Sequence, residues 1–161
     1  MSSSTTRNQT TIEVDDRVPL VRIVREFDAP VSKVFRAHTD PDLFARWIGP
    51  KDLTTEVVRF DPRTGGDWCF VQRRGDDEFW FRGCFHDVRQ DELIVQTFTW
   101  EGMPDHVALE KVVLIDLGDG RTRLEATSLV DSFESRDAFV AGGMEHGVVE
   151  GYEKLDALLA D

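Results

Sequence analysis

The chain has 161 residues, the size of a single domain, and 40% of them are apolar, which is enough for a substantial core. Its 31 acidic residues outnumber its 19 basic ones and give a formal net charge of −12, spread along the chain. An acidic surface repels phosphate backbones and anionic lipids, which argues against nucleic acid and membranes as partners.

The polar start of the chain, MSSSTTRNQTTIEVDDR, has no periodicity and no apolar stretch of signal-peptide length. No later segment approaches the roughly 20 consecutive apolar residues of a membrane span. We therefore expect a cytoplasmic protein in which residues 1–18 form a flexible polar tail and residues 19–161 form one domain.

A strand and two short helices are predicted at the start of this domain. The run LVRIVREF, beginning at Leu20, alternates apolar and polar residues as a strand does. Asp28 is the predicted cap of a first helix, with Pro30 in its first turn. The Asp40-Pro41 pair repeats this signal and predicts the start of a second helix.

From Asp52 to Leu129 the apolar residues recur at every second position, and turn sequences such as RGDD and LGDGR interrupt them. The pattern predicts six successive strands, at about residues 52–60, 66–74, 78–88, 92–101, 107–117 and 121–130. Because no helix is predicted between them, the sheet must be antiparallel.

A long amphipathic helix is predicted from Phe133 to Leu159. Its apolar residues step by three or four positions: Val140 (or Ala141), Met144, Val148, Tyr152, Leu155 and Leu159. The segment also contains glycines at 142, 143, 147 and 151, each of which costs roughly 1 kcal/mol relative to alanine inside a helix. We expect the last two to allow close packing on the sheet, and the first two to mark a helix irregularity beside a cavity mouth.

Alternation along the strands predicts which side chains face this helix. When the charged side chains are placed in water, Trp68, Phe70, Phe81 and Phe85 face inward. Residues 93–100 are less decisive, and we favour Phe98 and Trp100 on the inner face because their set carries the larger aromatics. One strand leaves two alternatives open, because either Glu110 or its neighbour Lys111 must face inward. A buried carboxylate needs partners or a raised pKa, so Glu110 is the candidate functional group; the alternative is a rim position or an arginine pair.

No metal site, disulfide or cofactor site is predicted. The four histidines, at positions 38, 86, 106 and 146, lack metal-binding spacing. The two cysteines, Cys69 and Cys84, fit reduced packing residues of a cytoplasmic protein.

Four segments together resemble a known family: DAPVSKVFRAHTDPDLFARWIGP, the Gly65-Gly66-x-Trp68 turn, QTFTWEGMPDHVALE and GGMEHGVVEGYEKLDALLA. They are similar to the bacterial START/Bet v 1-like (SRPBCC) proteins, in the branch named after the activator of heat-shock protein 90 ATPase. The resemblance covers about residues 18–160. It implies an α+β helix-grip fold, in which a curved antiparallel sheet of about seven strands wraps around the C-terminal helix.

This resemblance also implies an internal cavity for lipids, polyketides or other hydrophobic molecules. By position, the cavity would be lined by Trp47, Trp68, Phe70, Phe81, Phe85, Phe98, Glu110 and Met144. The inner-face pattern adds Trp100 to this set, and the helix stripe adds Val148. The predicted function is therefore the binding of a small hydrophobic ligand between sheet and helix.

Two alternatives remain. One is a cyclase or hydrolase that acts on such a ligand, with Glu110 as general base and His106 or His146 as assisting candidates. The other is a protein–protein module, either a co-chaperone-like ATPase activator or a homodimer, which would use outward apolar residues such as Trp80. The eukaryotic activators carry an additional N-terminal chaperone-binding domain, and only a short polar tail is expected here, so a chaperone partner is not expected.

Overall fold

A computed structural model describes residues 8–161 of the chain. Its N-terminal half contains β1 (Thr11–Val14), β2 (Leu20–Phe27), α1 (Val31–Thr39), α2 (Pro41–Trp47), β3 (Thr54–Phe60) and β4 (Asp67–Arg74). Its C-terminal half contains β5 (Asp77–Arg89), β6 (Leu93–Trp100), β7 (Ala108–Gly118), β8 (Arg121–Leu129), α3 (Phe133–Ala141) and α4 (Met144–Leu159). The strands form one antiparallel sheet in the order β1-β2-β8-β7-β6-β5-β4-β3, which confirms the predicted helix-grip fold.

Strand β1 lies in the segment assigned to the tail, and sequence analysis missed it. Its four residues pair antiparallel with Val21–Val24 of β2, so the described sheet has eight strands rather than about seven. Only Ile12 of this strand packs against the core, while its other side chains are exposed. Four residues with one apolar contact are too few to show the alternation of apolar and polar residues by which a strand is recognised in a sequence. Residues 1–7 of the predicted tail lie outside the described residues.

The six strands predicted between Asp52 and Leu129 are confirmed, each to within two residues at either end. They follow one another as hairpins, and left-handed backbone occurs at their turns, as at Gly75 (φ 60°) and Gly120 (φ 74°). Glycine adopts this conformation without the steric cost that a Cβ atom brings. Turn chemistry and period-two alternation thus predict the central sheet correctly.

The two helix caps turn out differently. Asp40 caps α2 as predicted, because its side chain accepts hydrogen bonds from the backbone N–H groups of Asp42 and Leu43. The predicted cap at Asp28 is wrong, since α1 begins only at Val31 with Pro30 as its N-cap residue. The Asp28 carboxylate instead accepts a hydrogen bond from Arg121 Nε at 2.9 Å.

The C-terminal helix is broken into two. Gly143 has φ 94°, a left-handed conformation that side chains disfavour, so α3 ends before it and α4 begins at Met144. The irregularity expected at this pair is therefore a complete break. At Gly151, a Cβ atom would lie 3.1 Å from the carbonyl oxygen of Trp47, so this glycine packs closely on the end of α2 rather than on the sheet.

The core fills the space between the concave face of the sheet and the helices. Its fully buried large side chains include Phe27, Val34, Leu124 and Leu155, contributed by β2, α1, β8 and α4. Within residues 8–161, no helix has both the length and the apolar composition that crossing a membrane requires.

Candidate functional site

Four of the six aromatic residues predicted on the inner face, Trp68, Phe70, Phe81 and Phe98, contact one another in a continuous cluster. Trp68 stacks on Phe70 at 5.3 Å between ring centroids and lies 5.7 Å from Phe98. Phe81 closes the group, 5.2 Å from Phe70 and 5.4 Å from Phe98. Trp68, Phe70 and Phe85 are buried, whereas Phe81 and Phe98 are partly exposed. The interior under β4, β5 and β6 is therefore aromatic, and two of its rings are partly accessible to solvent.

Trp47 lies among the helices rather than on the sheet. Its Nε1 donates a hydrogen bond to the carbonyl oxygen of Ala37 at 2.8 Å, and its ring stacks on Tyr152 of α4 at 6.0 Å. His38 packs edge-on against the same ring at 4.8 Å. The one polar atom of this indole, Nε1, is thus hydrogen-bonded within the protein. Trp47 is therefore a core residue that packs against Tyr152 and supports its position.

The remaining predicted lining residues lie at the periphery of the aromatic cluster. Met144 and Val148 lie on the first turns of α4, are half-buried and pack against the core. Trp100, at the end of β6, is 40% exposed. The predicted set therefore divides into a buried group and a more accessible rim.

Glu110 faces the concave interior and Lys111 faces solvent, which settles the alternative left open by the sequence. In the sheet register Glu110 of β7 lies between Gln96 of β6 and Ser128 of β8. Gln96 Nε2 donates a hydrogen bond to Glu110 Oε1 at 3.1 Å. Three polar side chains on three adjacent strands thus form a row across the otherwise apolar face, and we call Gln96, Glu110 and Ser128 the polar row.

Desolvation decides the protonation of this row. Burial raises the pKa of Glu110 to about 7, although Gln96 and Ser128 oppose the change. Ser128 Oγ is near enough to the carboxylate to lower its pKa, yet it makes no aligned hydrogen bond with any residue in the range 8–161. Burial, and secondarily the charge of Glu110, raise the pKa of Tyr152 on α4.

Trp68 carries the second unsatisfied polar atom of the interior. The residue is 2% exposed, and its Nε1 is buried without a hydrogen-bond partner among the described residues. A Cβ atom at Gly83 would lie 2.7 Å from Cε2 and Cζ2 of this indole, so the ring rests directly on the backbone of β5. Gly83 is therefore the residue that lets Trp68 reach across the sheet towards β6.

The two candidate histidines do not join Glu110. His106 has an imidazole that is 47% exposed, with Nδ1 4.0 Å from a carboxylate oxygen of Asp131. His146, on the first turn of α4, is 68% exposed, with Nε2 3.3 Å from a carboxylate oxygen of Glu150. Both imidazoles thus pair with surface carboxylates.

Sequence reasoning missed Ser128, Tyr152 and Arg25 as polar groups of the interior. Arg25 is 3% exposed and makes a two-pronged ion pair with Asp156 of α4, at 2.9 and 2.6 Å. Strand alternation offered the signal, because Arg25 lies between the inward residues Ile23 and Phe27.

Two depressions in the described surface, of about 190 and 220 Å³, lie away from the polar row. The first is lined by Asn8, Asp28, Asp156, Leu159 and Ala160. The second is lined by Lys33, Arg36, Ala37, Leu43, Arg46, Leu158, Leu159 and Asp161. None of the predicted ligand-binding residues contributes to either depression.

Comparison with solved structures supports the fold. A protein from Arthrobacter aurescens is 25% identical with a TM-score of 0.86, over 93% of this chain and 91% of its own. A protein from Mycobacterium smegmatis is 22% identical with a TM-score of 0.84, over 93% and 96%. A protein from Nitrosomonas europaea is 24% identical with a TM-score of 0.79, over 91% and 97%. No curated protein matches the chain.

Residues 28–160 match the family described as "Activator of Hsp90 ATPase homolog 1-like protein". The match covers most of the chain and includes both the aromatic cluster and the polar row. Together with the helix-grip fold, it places the protein in the START/Bet v 1-like (SRPBCC) superfamily. The chain belongs to the Activator of Hsp90 ATPase homolog 1-like family.

Proposed function

We propose that the protein binds a small hydrophobic ligand between the concave face of the sheet and α4, with Glu110 as its principal polar contact. The observation that carries this proposal is a half-buried, desolvated carboxylate with neutral partners, Gln96 and Ser128, on the sheet face that also holds a cluster of aromatic rings. Ligand sites of this kind are mostly apolar and contain a few polar groups that orient the ligand. The SRPBCC fold is in general a fold of proteins that bind small ligands, which supports the same conclusion.

The ligand would enter on the partly exposed side of the aromatic cluster. Phe81 and Phe98 of the sheet are half-buried there, and Met144 and Val148 of α4 are half-buried residues that pack against the core. Because the rings contact one another, a ligand would take the place of side chains rather than fill an open void. The helix break at Gly143 adjoins Met144 and allows the start of α4 to move independently of α3.

Direct binding measurements test this proposal. We expect naphthol, a small aromatic with one hydroxyl group, to change tryptophan fluorescence saturably with a stoichiometry of one, since Trp68 lies within the cluster. Native mass spectrometry of protein purified gently from its own host should show a mostly apolar adduct. The matched control is Glu56→Gln on the outer face, which should bind naphthol as the unsubstituted protein does. Absence of any saturable response to naphthol would contradict the proposal.

A second candidate function is catalysis by Glu110 acting as a general base on the bound ligand. A specific observation favours it, namely that the pKa of Glu110 is raised to about 7. A base whose pKa lies near the working pH is both largely ionised and strong enough to accept a proton. In this candidate, Gln96 would hold the carboxylate in position through its hydrogen bond.

Glu110→Gln separates the two functions. The amide keeps the shape of the side chain but cannot accept the proton, so turnover of an identified substrate should fall by about 100-fold or more, while ligand binding weakens by at most about tenfold. The rate constant of the unsubstituted protein should rise with pH up to about 7 and then level off. Full turnover by the variant would rule out the base and leave binding alone.

A further inference from the structure

Two buried polar atoms of the interior lack partners, and they lie at different places along the site. Trp68 Nε1 can only donate a hydrogen bond, and among residues 8–161 nothing accepts it. Ser128 Oγ, on a residue that is 5% exposed, makes no hydrogen bond of good geometry within the same residues, although it lies close enough to Glu110 to lower the pKa of that carboxylate. Buried polar groups without partners are rare in folded proteins because each costs free energy, so each requires an explanation.

The sheet fixes the separation between these two positions. The Trp68 indole rests on β5 at Gly83, and Nε1 is bonded to the Cε2 atom that touches this glycine. Glu110 lies on β7, and β6 separates the two strands. With adjacent strands about 4.8 Å apart, a donor over β5 and an acceptor on β7 are on the order of 10 Å apart. Phe98 on β6 lies between them, 5.7 Å from Trp68.

We propose that the site selects a flat aromatic ligand that is polar at both ends, with a hydrogen-bond acceptor at the end that meets Trp68 Nε1 and a hydroxyl donor at the end that meets Glu110 and Ser128. This inference rests on the proposed binding function and deepens it by naming the ligand class. The apolar middle of the ligand lies on Phe98 and Phe81, and an oxygen at each end satisfies the unpartnered groups. A carbonyl oxygen suits the indole N–H, because that group donates only.

Four naphthalene probes test the pattern. They are ethylnaphthalene with no polar group, acetylnaphthalene with the acceptor, naphthol with the donor, and acetylnaphthol with both groups at opposite ends of the ring pair. In the unsubstituted protein we expect acetylnaphthol to bind most tightly. Each added polar group should strengthen binding by about five- to tenfold, the value of one hydrogen bond to a buried group. This comparison needs no variant.

Two variants assign each gain to its residue. We call the increase in affinity due to the acetyl group the acetyl gain, and the increase due to the hydroxyl group the hydroxyl gain. Trp68→Phe keeps an aromatic ring on Gly83 but removes the N–H, so it should abolish the acetyl gain and leave the hydroxyl gain intact. Glu110→Gln should reduce the hydroxyl gain and leave the acetyl gain intact. Circular dichroism checks that each variant is folded, and the probe comparison in the unsubstituted protein stands if one is not.

The outcomes distinguish this inference from the proposed function. If all four probes bind equally, or if Trp68→Phe weakens all of them alike, the interior binds by apolar contact only; the inference is then wrong and the proposed function survives. If none of the four binds to the unsubstituted protein, both fail. Selective loss of the acetyl gain in Trp68→Phe supports the inference.

Discussion

The two faces of the sheet shift the pKa values of their carboxylates in opposite directions. On the convex face, Arg73 lies between Glu56 and Glu78, with hydrogen bonds of 2.6 and 2.8 Å. On the concave face, the two residues of the range 8–161 that act on the Glu110 carboxylate, Gln96 and Ser128, are both neutral, and Gln96 donates a hydrogen bond to it. The Arg73 guanidinium, and then the Trp80 N–H, lower the pKa of Glu78, whereas burial raises the pKa of Glu110 to about 7.

The comparison shows that a carboxylate with a charged partner in water has a lowered pKa, whereas desolvation without a charged partner raises it. The convex face also buries more than alternation predicts. Cys69 and Val71 point away from the helices, yet both are buried. Val71 is flanked in the register by Glu56 and Trp80, and Cys69 by Arg59 and Arg82. Long arginine stems can cover apolar neighbours while their charged ends stay in water.

The largest expected change in the free energy of unfolding concerns the ion pair between Arg25, on the concave face, and Asp156 of α4. Asp156→Ala leaves the buried Arg25 guanidinium without its carboxylate partner. We expect the free energy of unfolding to fall by about 3–4 kcal/mol, because an uncompensated buried charge is strongly destabilising. Urea denaturation at pH 7 measures it. The control Glu56→Gln breaks an exposed pair and should cost less than about 1 kcal/mol. Equal losses at the two sites would refute the contrast between the faces.

Glu110→Gln should stabilise the protein in a pH-dependent way. The folded-state pKa of about 7 lies above the ordinary value of 4.5, so unfolding releases a proton between these values, and the stability of the unsubstituted protein falls as pH rises. The variant should match it below pH 4.5 and exceed it above pH 7 by about 3 kcal/mol. Urea denaturation at pH 4.5 and pH 8 checks this. An unchanged difference between the two pH values would mean that the carboxylate is solvated.

Gly83→Ala tests the packing of the Trp68 indole on the backbone of β5. The added Cβ atom would meet the carbonyl oxygen of Thr97 and lie 2.7 Å from the indole. We expect a loss of about 2 kcal/mol in the free energy of unfolding, since overpacking forces neighbouring side chains and backbone to shift. Naphthol binding should weaken as well, because the indole is displaced. Gly75→Ala is a control outside the cluster, although its φ of 60° carries its own strain. Retention of both stability and binding in Gly83→Ala would contradict this placement of Trp68.

The smallest effect is expected at Glu78, with the opposite sign to Glu110. Its pKa is lowered by Arg73, so its ionised form is the one favoured in the folded state. The stability that Glu78 contributes is present above pH 4.5 and is lost as pH falls through its lower folded-state pKa. Glu78→Gln should therefore be slightly less stable than the unsubstituted protein at pH 7 and equal to it in acid. A gain in stability at pH 7 would overturn the sign.

Period-two alternation predicted the central strands and the inward direction of Trp68, Phe70 and Phe85, because charged residues separate the two faces. It could not choose between Glu110 and Lys111, which are adjacent and both charged. That choice depends on the cross-strand neighbours Gln96 and Ser128. Which residues become neighbours is set by the register between strands, and the pattern within one strand does not determine the register.

Local signals also failed where tertiary contacts decide the structure. Residues 11–14 form a strand through pairing with β2 rather than through any period of their own. The single long helix predicted from Phe133 ends at Gly143, where the backbone turns left-handed. The unpartnered Nε1 of Trp68 depends on how the indole lies on Gly83, a contact between two strands that a sequence does not record.

A carbon-13 NMR titration of the Glu110 side-chain carboxyl, with and without naphthol, tests the central claim most directly. We expect a midpoint of about pH 7 in the free protein and a clear shift of both midpoint and resonance when naphthol binds. A midpoint near the ordinary glutamate value of 4.5, with no response to naphthol, would show that Glu110 is a solvated carboxylate and would contradict the proposed site.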